Sequence, residues 1–484
     1  MKLLKLAACI TSASLLIACG GDDNDSNSSV PAINLEKAQL VVNTNADIAY
    51  AAYTDSVETA KALKVALATF KADPTAQSLT AAKEAWLVSR EPYGQTEVYR
   101  FRNSPVDALD VEGDLNAWPL GEALIDYVNT GNDGDDFDND QIGVTAHGFG
   151  DDITASIDVT NAEAANTIIG NTDIAIDDTL LEKGLAAEDE HDVISGYHAI
   201  EFLLWGQDLN TTNQSTTDGT DRGQAVNATA AGGQRPVTDF QPGITADYDA
   251  NELSHRRHMY LEVAVDKLIA DLEAVQAEWA TGDENNYRAS FTTLTNAADA
   301  KTKLTEILNG MGTLSEGELA GERMQIAFAT NSQEDEHSCF SDNTHRDIWL
   351  NAEGVSNSFY GTYAGYDSDL NGSDDVTTNA VDGYGINDYL TEVGLTTIVT
   401  DTTTALTDTQ TNYTAIDTSA RAGIPFDVLI QNPTEEGAIA LTIKSLNAQS
   451  RLIQSAADQL GLGTVVESDA SGCNTENPTS AEGC

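Results

Sequence analysis

The chain has 484 residues, of which 78 are Asp or Glu and 24 are Lys or Arg, so its formal net charge at pH 7 is −54. A chain this acidic repels nucleic acid and anionic membrane surfaces, which excludes nucleic acid as a partner. The hydrophobic fraction of 41% is ordinary for a globular protein, and the length is sufficient for two domains.

Residues 1–19 have the features of a bacterial export signal: two lysines and then an apolar stretch too short to span a membrane stably. The stretch ends in Leu-Ile-Ala-Cys, which resembles a lipobox and predicts cleavage before Cys19 and acylation of that cysteine. The alternative is an ordinary cleaved signal with an incidental cysteine. Residues 20–35 are polar and rich in Gly and Ser, which predicts a flexible tether. We therefore expect an exported protein held by lipid in the cell envelope, at the outer membrane facing the periplasm or at the surface.

The rest of the chain shows helical periodicity, with apolar residues at steps of three and four, and no convincing strand alternation. A second helix follows the first around Trp86, and Gly206 is expected to stop the helix that contains residues 196–205. Ser315 and Glu318 have capping-box spacing and predict a helix start. The other predicted helices cover 36–73, 252–279, 286–310, 315–330, 386–412 and 435–460, with loops at 131–152, 207–250 and 338–384.

These patterns predict an all-α protein with roughly eight helices in two groups, which suggests a pair of helical bundles with long irregular loops. The first domain is expected at 36–250, including a polar insertion, and the second at 251–465. The tail, 466–484, holds Cys473 and Cys484, which could form a disulfide in an oxidising compartment. Cys339 is then the odd cysteine.

The stretch GYHAIEFLLWG, residues 196–206, carries the first candidate site. His198 and Glu201 are three residues apart, so they share one face of a helix and could hold a metal through nitrogen and oxygen. Two ligands are too few for a metal site, and His-x-x-Glu by itself is a weak signal. The alternative is a core histidine bonded to a carboxylate one turn away.

Polar residues in the segment 331–349 form the second candidate site. Carboxylates and imidazoles suit iron, zinc or manganese, while a solvated acidic turn that caps a helix is the alternative. The presence of Phe340 and Trp349 argues against full exposure. The candidate ligands and neighbours are Glu334, Asp335, Glu336, His337, Ser338, Ser341, Asp342, Asn343, His345 and Asp347.

A zinc peptidase using His198 and Glu201 is the enzymatic alternative. Helical zinc peptidases use His-Glu-x-x-His, which this chain lacks. Another class of zinc peptidase binds the metal through His-x-x-Glu and a third histidine far downstream, and His337 or His345 could be that histidine. Such sites, however, belong to sheet-containing folds. A general base and an oxyanion stabiliser are also not identifiable, so the peptidase hypothesis is disfavoured.

The segment 367–372, DSDLNG, matches the start of a calcium loop through Asp367, Asp369 and Asn371. Thr378 stands where such a loop has its bidentate glutamate. An acidic turn is therefore the favoured interpretation, with calcium as the alternative.

The motifs together resemble the imelysin-like family, which includes the iron-regulated protein A lipoproteins. Gly196, His198 and Glu201 match that family's Gly-x-His-x-x-Glu motif. The segments AWLVSREPYGQTEVYRF, LNAWPL, GQRPVTDF, GTLSEGELAGERM and QEDEHSCFSDNTHRDI also look like family segments, in the same order. The resemblance implies two four-helix bundles with a site at their interface.

The resemblance also implies a function in bacterial iron uptake or homeostasis, with iron, an iron chelate or another divalent metal such as zinc as the ligand. His198 and Glu201 would be ligands or polar anchors, with Asp342 and His345 as partners. Arg90 would bind an anionic group of a chelate, and Glu97, Gly196, Glu336, Ser338 and Asn343 would line the site. The expected partners are iron-transport components and the membrane, reached through Cys19. An interaction module with a structural His-x-x-Glu is the remaining alternative.

Overall fold

A computed structural model describes residues 30–101, 104–128, 167–182, 193–208, 232–242, 250–333, 335–431, 433–466, 472–482 and 484. Its regular structure is almost entirely helical, which confirms the predicted all-α class. The α-helices are α1 (Leu35–Ala72), α2 (Ala76–Gly94), α3 (Pro105–Leu109), α4 (Glu112–Leu115), α5 (Glu122–Ile125), α6 (Asp178–Glu182), α7 (Gly196–Trp205), α8 (Ala250–Trp279), α9 (Tyr287–Phe291), α10 (Ala297–Thr313), α11 (Ile326–Thr330), α12 (Thr344–Tyr360), α13 (Ile386–Glu392), α14 (Thr396–Arg421), α15 (Phe426–Ile430) and α16 (Ala438–Leu460).

Three further helical segments and one small sheet complete the described structure. The 3₁₀ turns cover Glu97–Tyr99 and Val237–Phe240, and a π-helix covers Leu314–Gln325. Strands β1 (Thr362–Tyr363) and β2 (Val381–Asp382) pair in an antiparallel ladder. The prediction of a loop over 338–384 is wrong for Thr344–Tyr360, which forms α12.

The long helices bury apolar faces against one another. Helix α1 packs on α2 and α8, and α7 packs on α8 and α2. In the C-terminal part, α16 packs on α14, on α10 and on the π-helix, while α12 contacts both α14 and α2. Helix α12 thus contacts helices of both the N-terminal and the C-terminal part of the chain. The division into two bundles with a boundary at residue 250 stays a prediction.

The segment 297–330 differs from the sequence-based expectation. Helix α10, the π-helix and α11 follow one another without a break, so no helix starts at Ser315. The Ser315 hydroxyl donates to the carbonyl of Met311 at 2.7 Å, a bond of the helix interior, so the predicted capping box with Glu318 is wrong. A π-helix is often found at functional sites.

Two other boundaries are also informative. The predicted helix 386–412 is interrupted after Glu392, where Gly394 has φ +86° and lets the chain turn before α14 begins. Gly206, with φ +72°, ends α7 as predicted. Cys473 and Cys484 form a disulfide, and Cys339 is not part of one. Among the described helices, none combines the length and apolar character that crossing a membrane would require.

Candidate functional site

Helix α7 places the Gly-x-His-x-x-Glu residues inside the protein. All ten residues of α7 are buried, because its sequence is apolar on nearly every side apart from His198 and Glu201. The helix begins at Gly196, which has φ +80°. A Cβ at that position would lie 2.5 Å from the carbonyl oxygen of Leu115. Glycine is therefore required there both by the backbone conformation and by the close approach of α4.

His198 and Glu201 form a hydrogen-bonded pair on this helix. Nδ1 of His198 lies 2.8 Å from Oε2 of Glu201. The other oxygen, Oε1, accepts two hydrogen bonds from Ser341, one from its backbone N–H at 2.9 Å and one from its hydroxyl at 2.7 Å. Both carboxylate oxygens are engaged by the protein, so Glu201 orients the imidazole and is itself fixed by Ser341.

The remaining nitrogen of His198 has a different environment. Nε2 is buried and has no hydrogen-bond partner in the described structure. The ring of His337 packs edge-on against His198, with 4.9 Å between ring centroids and 89° between ring planes. An imidazole whose Nδ1 donates to a carboxylate presents a lone pair at Nε2, which is the arrangement found at histidines that bind metals.

Burial dominates the protonation of this pair. It lowers the pKa of His198 to about 3, with the positive charge of Arg90 acting in the same direction. It also raises the pKa of Glu201 to about 8, against the opposing hydrogen bond from Ser341. The imidazole is therefore neutral at pH 7, as a metal ligand must be, while Glu201 is largely protonated. When Glu201 is ionised, Nδ1 donates to it and the lone pair lies on Nε2.

Asp347 of α12 organises a second group of polar side chains beside the pair. Its carboxylate accepts a hydrogen bond from Nε of Arg90 at 2.9 Å and another from the hydroxyl of Ser338. Oδ2 of Asp347 also lies 3.4 Å from Nδ1 of His337. Burial alone would raise the pKa of Asp347, but Arg90 outweighs it and the pKa lies well below the ordinary range. Asp347 is thus a fixed negative charge.

Asn116 and Glu97 extend the polar network towards the π-helix. Asn116 accepts a hydrogen bond from Arg90 at 2.5 Å and donates one to Glu97 at 3.3 Å. Glu97 accepts from Arg323 of the π-helix at 3.0 Å. Burial raises the pKa of Glu97, yet Arg323 and Arg100 outweigh that effect and bring it to about 2. The network therefore joins α2, α12 and the π-helix through buried charges of both signs.

The structure places the predicted site residues in two different surroundings. His198, Glu201, Arg90, Glu97 and Ser338 belong to the buried network described above. In the same network, Asn343 donates to Asp347 at 3.5 Å. Arg90 has Nε on Asp347 and one amino nitrogen on Asn116, and its guanidinium lies 4.7 Å above the ring of Tyr197. An anionic ligand at Arg90 would have to compete with these contacts.

Two other predicted residues, His345 and Asp342, have contacts with different parts of the chain. His345 points to Asp417 of α14, with 3.6 Å between Nε2 and a carboxylate oxygen, and burial lowers its pKa to about 4. Asp342 accepts a hydrogen bond from the backbone N–H of Gly232 at 2.8 Å. Glu336 is buried next to His337 in the chain. Cys19 and Glu334 lie outside the described residues.

The proposed calcium loop has the geometry of a turn. One oxygen of Asp367 accepts from the backbone N–H of Asp369 at 3.2 Å, and the other accepts from that of Gly372 at 2.5 Å. These bonds stabilise the turn by themselves. Calcium at this position stays a prediction.

The structure adds functional candidates that the sequence did not assign. Asn116 and Arg323 carry no recognisable metal-ligand pattern, and only tertiary contacts bring them to the site. His337 and Asp347 are among the candidates that the sequence places in segment 331–349, and the structure brings both of them next to Arg90 and His198.

Comparison with known proteins identifies the family. The family model named Imelysin, Peptidase_M75, matches residues 49–453, which is most of the chain. This chain belongs to the imelysin family. The matched region contains α7 with Gly196, His198 and Glu201, and also α12 with Asp347, so the imelysin match covers both parts of the candidate site.

Individual relatives agree with the imelysin assignment. Iron-regulated protein A of Synechococcus elongatus (strain ATCC 33912 / PCC 7942 / FACHB-805) is 37% identical over 68 residues, which are 14% of this chain and 18% of that protein. Two solved structures share the fold. A protein described as an iron-regulated protein A precursor from Parabacteroides distasonis ATCC 8503 has a TM-score of 0.55 at 15% identity, covering 89% of this chain and 96% of that one. An imelysin-like protein from Psychrobacter arcticum 273-4 has a TM-score of 0.51 at 14% identity, covering 90% and 100%.

Proposed function

We propose that this imelysin-family protein binds iron, as an ion or within a chelate, at His198 and acts in bacterial iron uptake or homeostasis. The observation that carries the proposal is Nε2 of His198, which is buried, neutral and without a hydrogen-bond partner beside a fixed Nδ1. The relative from Synechococcus, whose name describes an iron-regulated protein, supports iron as the metal.

The few donor atoms around His198 favour a metal ion that is coordinated in part by water or by a chelator. His198 would supply one nitrogen, and His337 is the adjacent imidazole. Among the described residues, three potential metal ligands lie close together, namely Asp208, Asp342 and Asp427, and His198 is not part of this group. Iron at His198 would therefore complete its coordination with water or with the donor atoms of a chelator.

The N-terminal sequence supports a location in the cell envelope. The lipobox ending at Cys19 would attach the protein to a membrane, and residues 20–35 would let the folded part extend from it. An anchored iron-binding protein would receive iron outside the cytoplasm and deliver it to transport components.

Calorimetry on the full chain, purified without an affinity tag, would test the proposal. We expect binding of Fe²⁺ under anaerobic conditions, or of ferric citrate, to be lost in His198→Ala. The matched control is His258→Ala, since His258 is also buried with a lowered pKa but has its Nε2 near the carbonyl of Phe240 at 3.3 Å. Unchanged iron binding in His198→Ala would refute the site.

The same preparation would examine the peptidase alternative. A zinc-loaded sample is expected to leave an unstructured protein such as casein intact. Cleavage that is sensitive to chelators and absent in Glu201→Gln would replace the proposal with zinc-dependent proteolysis.

A further inference from the structure

Three aspartates from distant parts of the chain meet close to α7. Asp208 follows the end of α7, Asp342 precedes α12, and Asp427 lies in α15. Each offers a carboxylate oxygen, and these oxygens all lie within 4.8 Å of one another. Oxygens at such separations can surround a single cation at the 2.3–2.6 Å distances typical of calcium with only small movements.

The burial of these carboxylates makes the grouping unusual. Asp427 is fully buried and Asp342 is 4% exposed, whereas Asp208 is only partly buried. Carboxylates that share one site repel one another when ionised, and a bound cation removes that repulsion. Oδ2 of Asp208 also accepts a hydrogen bond from Nε2 of Gln333 at 2.5 Å.

A second observation at Asp342 points independently to a ligand. Its Oδ2 accepts the hydrogen bond from Gly232, but its Oδ1 is buried and has no hydrogen-bond partner.

From this geometry we infer that Asp208, Asp342 and Asp427 form a binding site for a hard divalent cation, distinct from the site at His198. Carboxylate oxygens without nitrogen or sulfur donors select calcium, magnesium or manganese. The cation neutralises the buried carboxylates and completes its coordination with water from the side of Asp208.

The site also has a structural consequence for α7. Asp342 follows Ser341, whose N–H and hydroxyl hold Glu201. Ser341 and Asp342 are joined by one peptide bond, so a cation bound to Asp342 also restricts the position of Ser341. The carboxylate site supports the His198 site without sharing a ligand with it.

Thermal unfolding and calorimetry of the full chain, after removal of metals by a chelator, would test this inference with Ca²⁺, Mg²⁺ and Mn²⁺ in separate titrations. At least one of the three ions should raise the melting temperature and bind with a stoichiometry of one. Asp427→Asn and Asp342→Asn should each weaken that binding by about tenfold or more, because each removes one ligand charge. Asp208→Asn changes a partly exposed residue, so this variant should fold even if the two buried variants do not. It should also weaken binding of the ion.

Two controls separate this site from its neighbours. Asp369→Asn removes a carboxylate from the other acidic turn and should bind the ion as the unmodified chain does. His198→Ala should also retain it. The inference is overturned if none of the three ions changes the melting temperature, or if Asp208→Asn binds normally. Loss of binding in His198→Ala alone would place the ion at His198, which would overturn this inference and leave the proposed function standing.

Discussion

At the scale of single residues, the candidate site depends on which nitrogen of His198 carries the proton. A metal can bind Nε2 when Nδ1 donates to Glu201, and Glu201 is held in place for this by Ser341. In Glu201→Gln the amide oxygen is needed to accept the two hydrogen bonds from Ser341, so the amide nitrogen faces Nδ1 of His198. An amide nitrogen only donates, and the polarity of the contact with Nδ1 is therefore reversed. In the proposed site, the ionised carboxylate of Glu201 thus controls the availability of Nε2.

Glu201→Gln is therefore expected to lower iron affinity by about 10- to 100-fold, as for other residues that orient a metal-binding histidine. Calorimetry with Fe²⁺ measures the loss, and circular dichroism verifies that the helical content is retained. Ser341→Ala leaves the carboxylate in place and should cause a smaller loss. Equal affinity in the Gln variant and the unmodified chain would contradict the orienting role.

Gly196→Ala tests the backbone at the start of α7. A residue other than glycine at φ +80° costs about 1–2 kcal/mol, and the Cβ would also collide with the carbonyl of Leu115. Gly282→Ala is the matched control, because Gly282 has φ +91° but no atom within 4 Å of the added Cβ. We expect urea unfolding to show a larger loss of stability for Gly196→Ala. Equal losses would mean that the close approach of α4 is relieved at no cost.

At the scale of elements, buried ion pairs hold α8 to the segments around it. Asp126, at the end of α5, accepts hydrogen bonds from Arg257 of α8 at 2.7 and 3.1 Å and from Arg235 at 2.7 Å. Burial alone would raise the pKa of Asp126, but Arg257 and Arg235 outweigh it and the pKa is lowered. Because the folded-state pKa is depressed, the ionised carboxylate stabilises the fold above the unfolded pKa of about 3.9.

Asp126→Asn should destabilise the protein at pH 7 by about 3–5 kcal/mol, since two buried guanidinium groups lose their counterion. The difference in unfolding free energy between the variant and the unmodified chain should shrink as the pH falls below about 4 and Asp126 becomes protonated. Urea titrations at a series of pH values measure it. Asp239→Asn, which alters a more exposed partner of Arg235, is the milder control. A difference that stays constant to low pH would exclude the ionised carboxylate as its source.

The elements also show how far the sequence could predict this structure. Long helices such as α1 and α8 follow from apolar periodicity, and Gly206 ended α7 where expected. The π-helix was not predictable, because its i→i+5 bonds arise from packing and leave no separate sequence pattern. For the same reason the spacing of Ser315 and Glu318 predicts a helix start at a position that lies inside a continuous helical segment. The His198–Glu201 pair was visible in the sequence, whereas the contact with Ser341, 140 residues beyond Glu201, required the tertiary fold.

At the scale of the whole molecule, the net charge of −54 is carried mainly by the surface. Several of the 24 cationic residues are buried in pairs with carboxylates, and these pairs leave the net charge unchanged. They include Arg90, Arg235, Arg257, Arg323 and Arg346. The surface is therefore strongly negative and repels itself in the compact state.

Salt should consequently stabilise the fold. Raising NaCl from about 0.05 to 0.5 M shortens the Debye length and screens surface repulsion, whereas buried pairs are screened much less. We expect the melting temperature measured by calorimetry to rise over this range. An equal osmolality of sucrose is the control for effects that do not involve charge. A melting temperature that falls with salt would mean that exposed ion pairs, such as Lys61 with Glu273, outweigh the repulsion.

The two hydrogen bonds from Ser341 to Glu201 have a consequence for the synthesis of the chain. Helix α7 is synthesised long before the segment that fixes its carboxylate, so a chain interrupted ahead of residue 341 lacks both bonds. The order of synthesis therefore delays the proposed metal site until the segment around Ser341 has packed against α7. On that proposal, truncated chains would not compete for the metal.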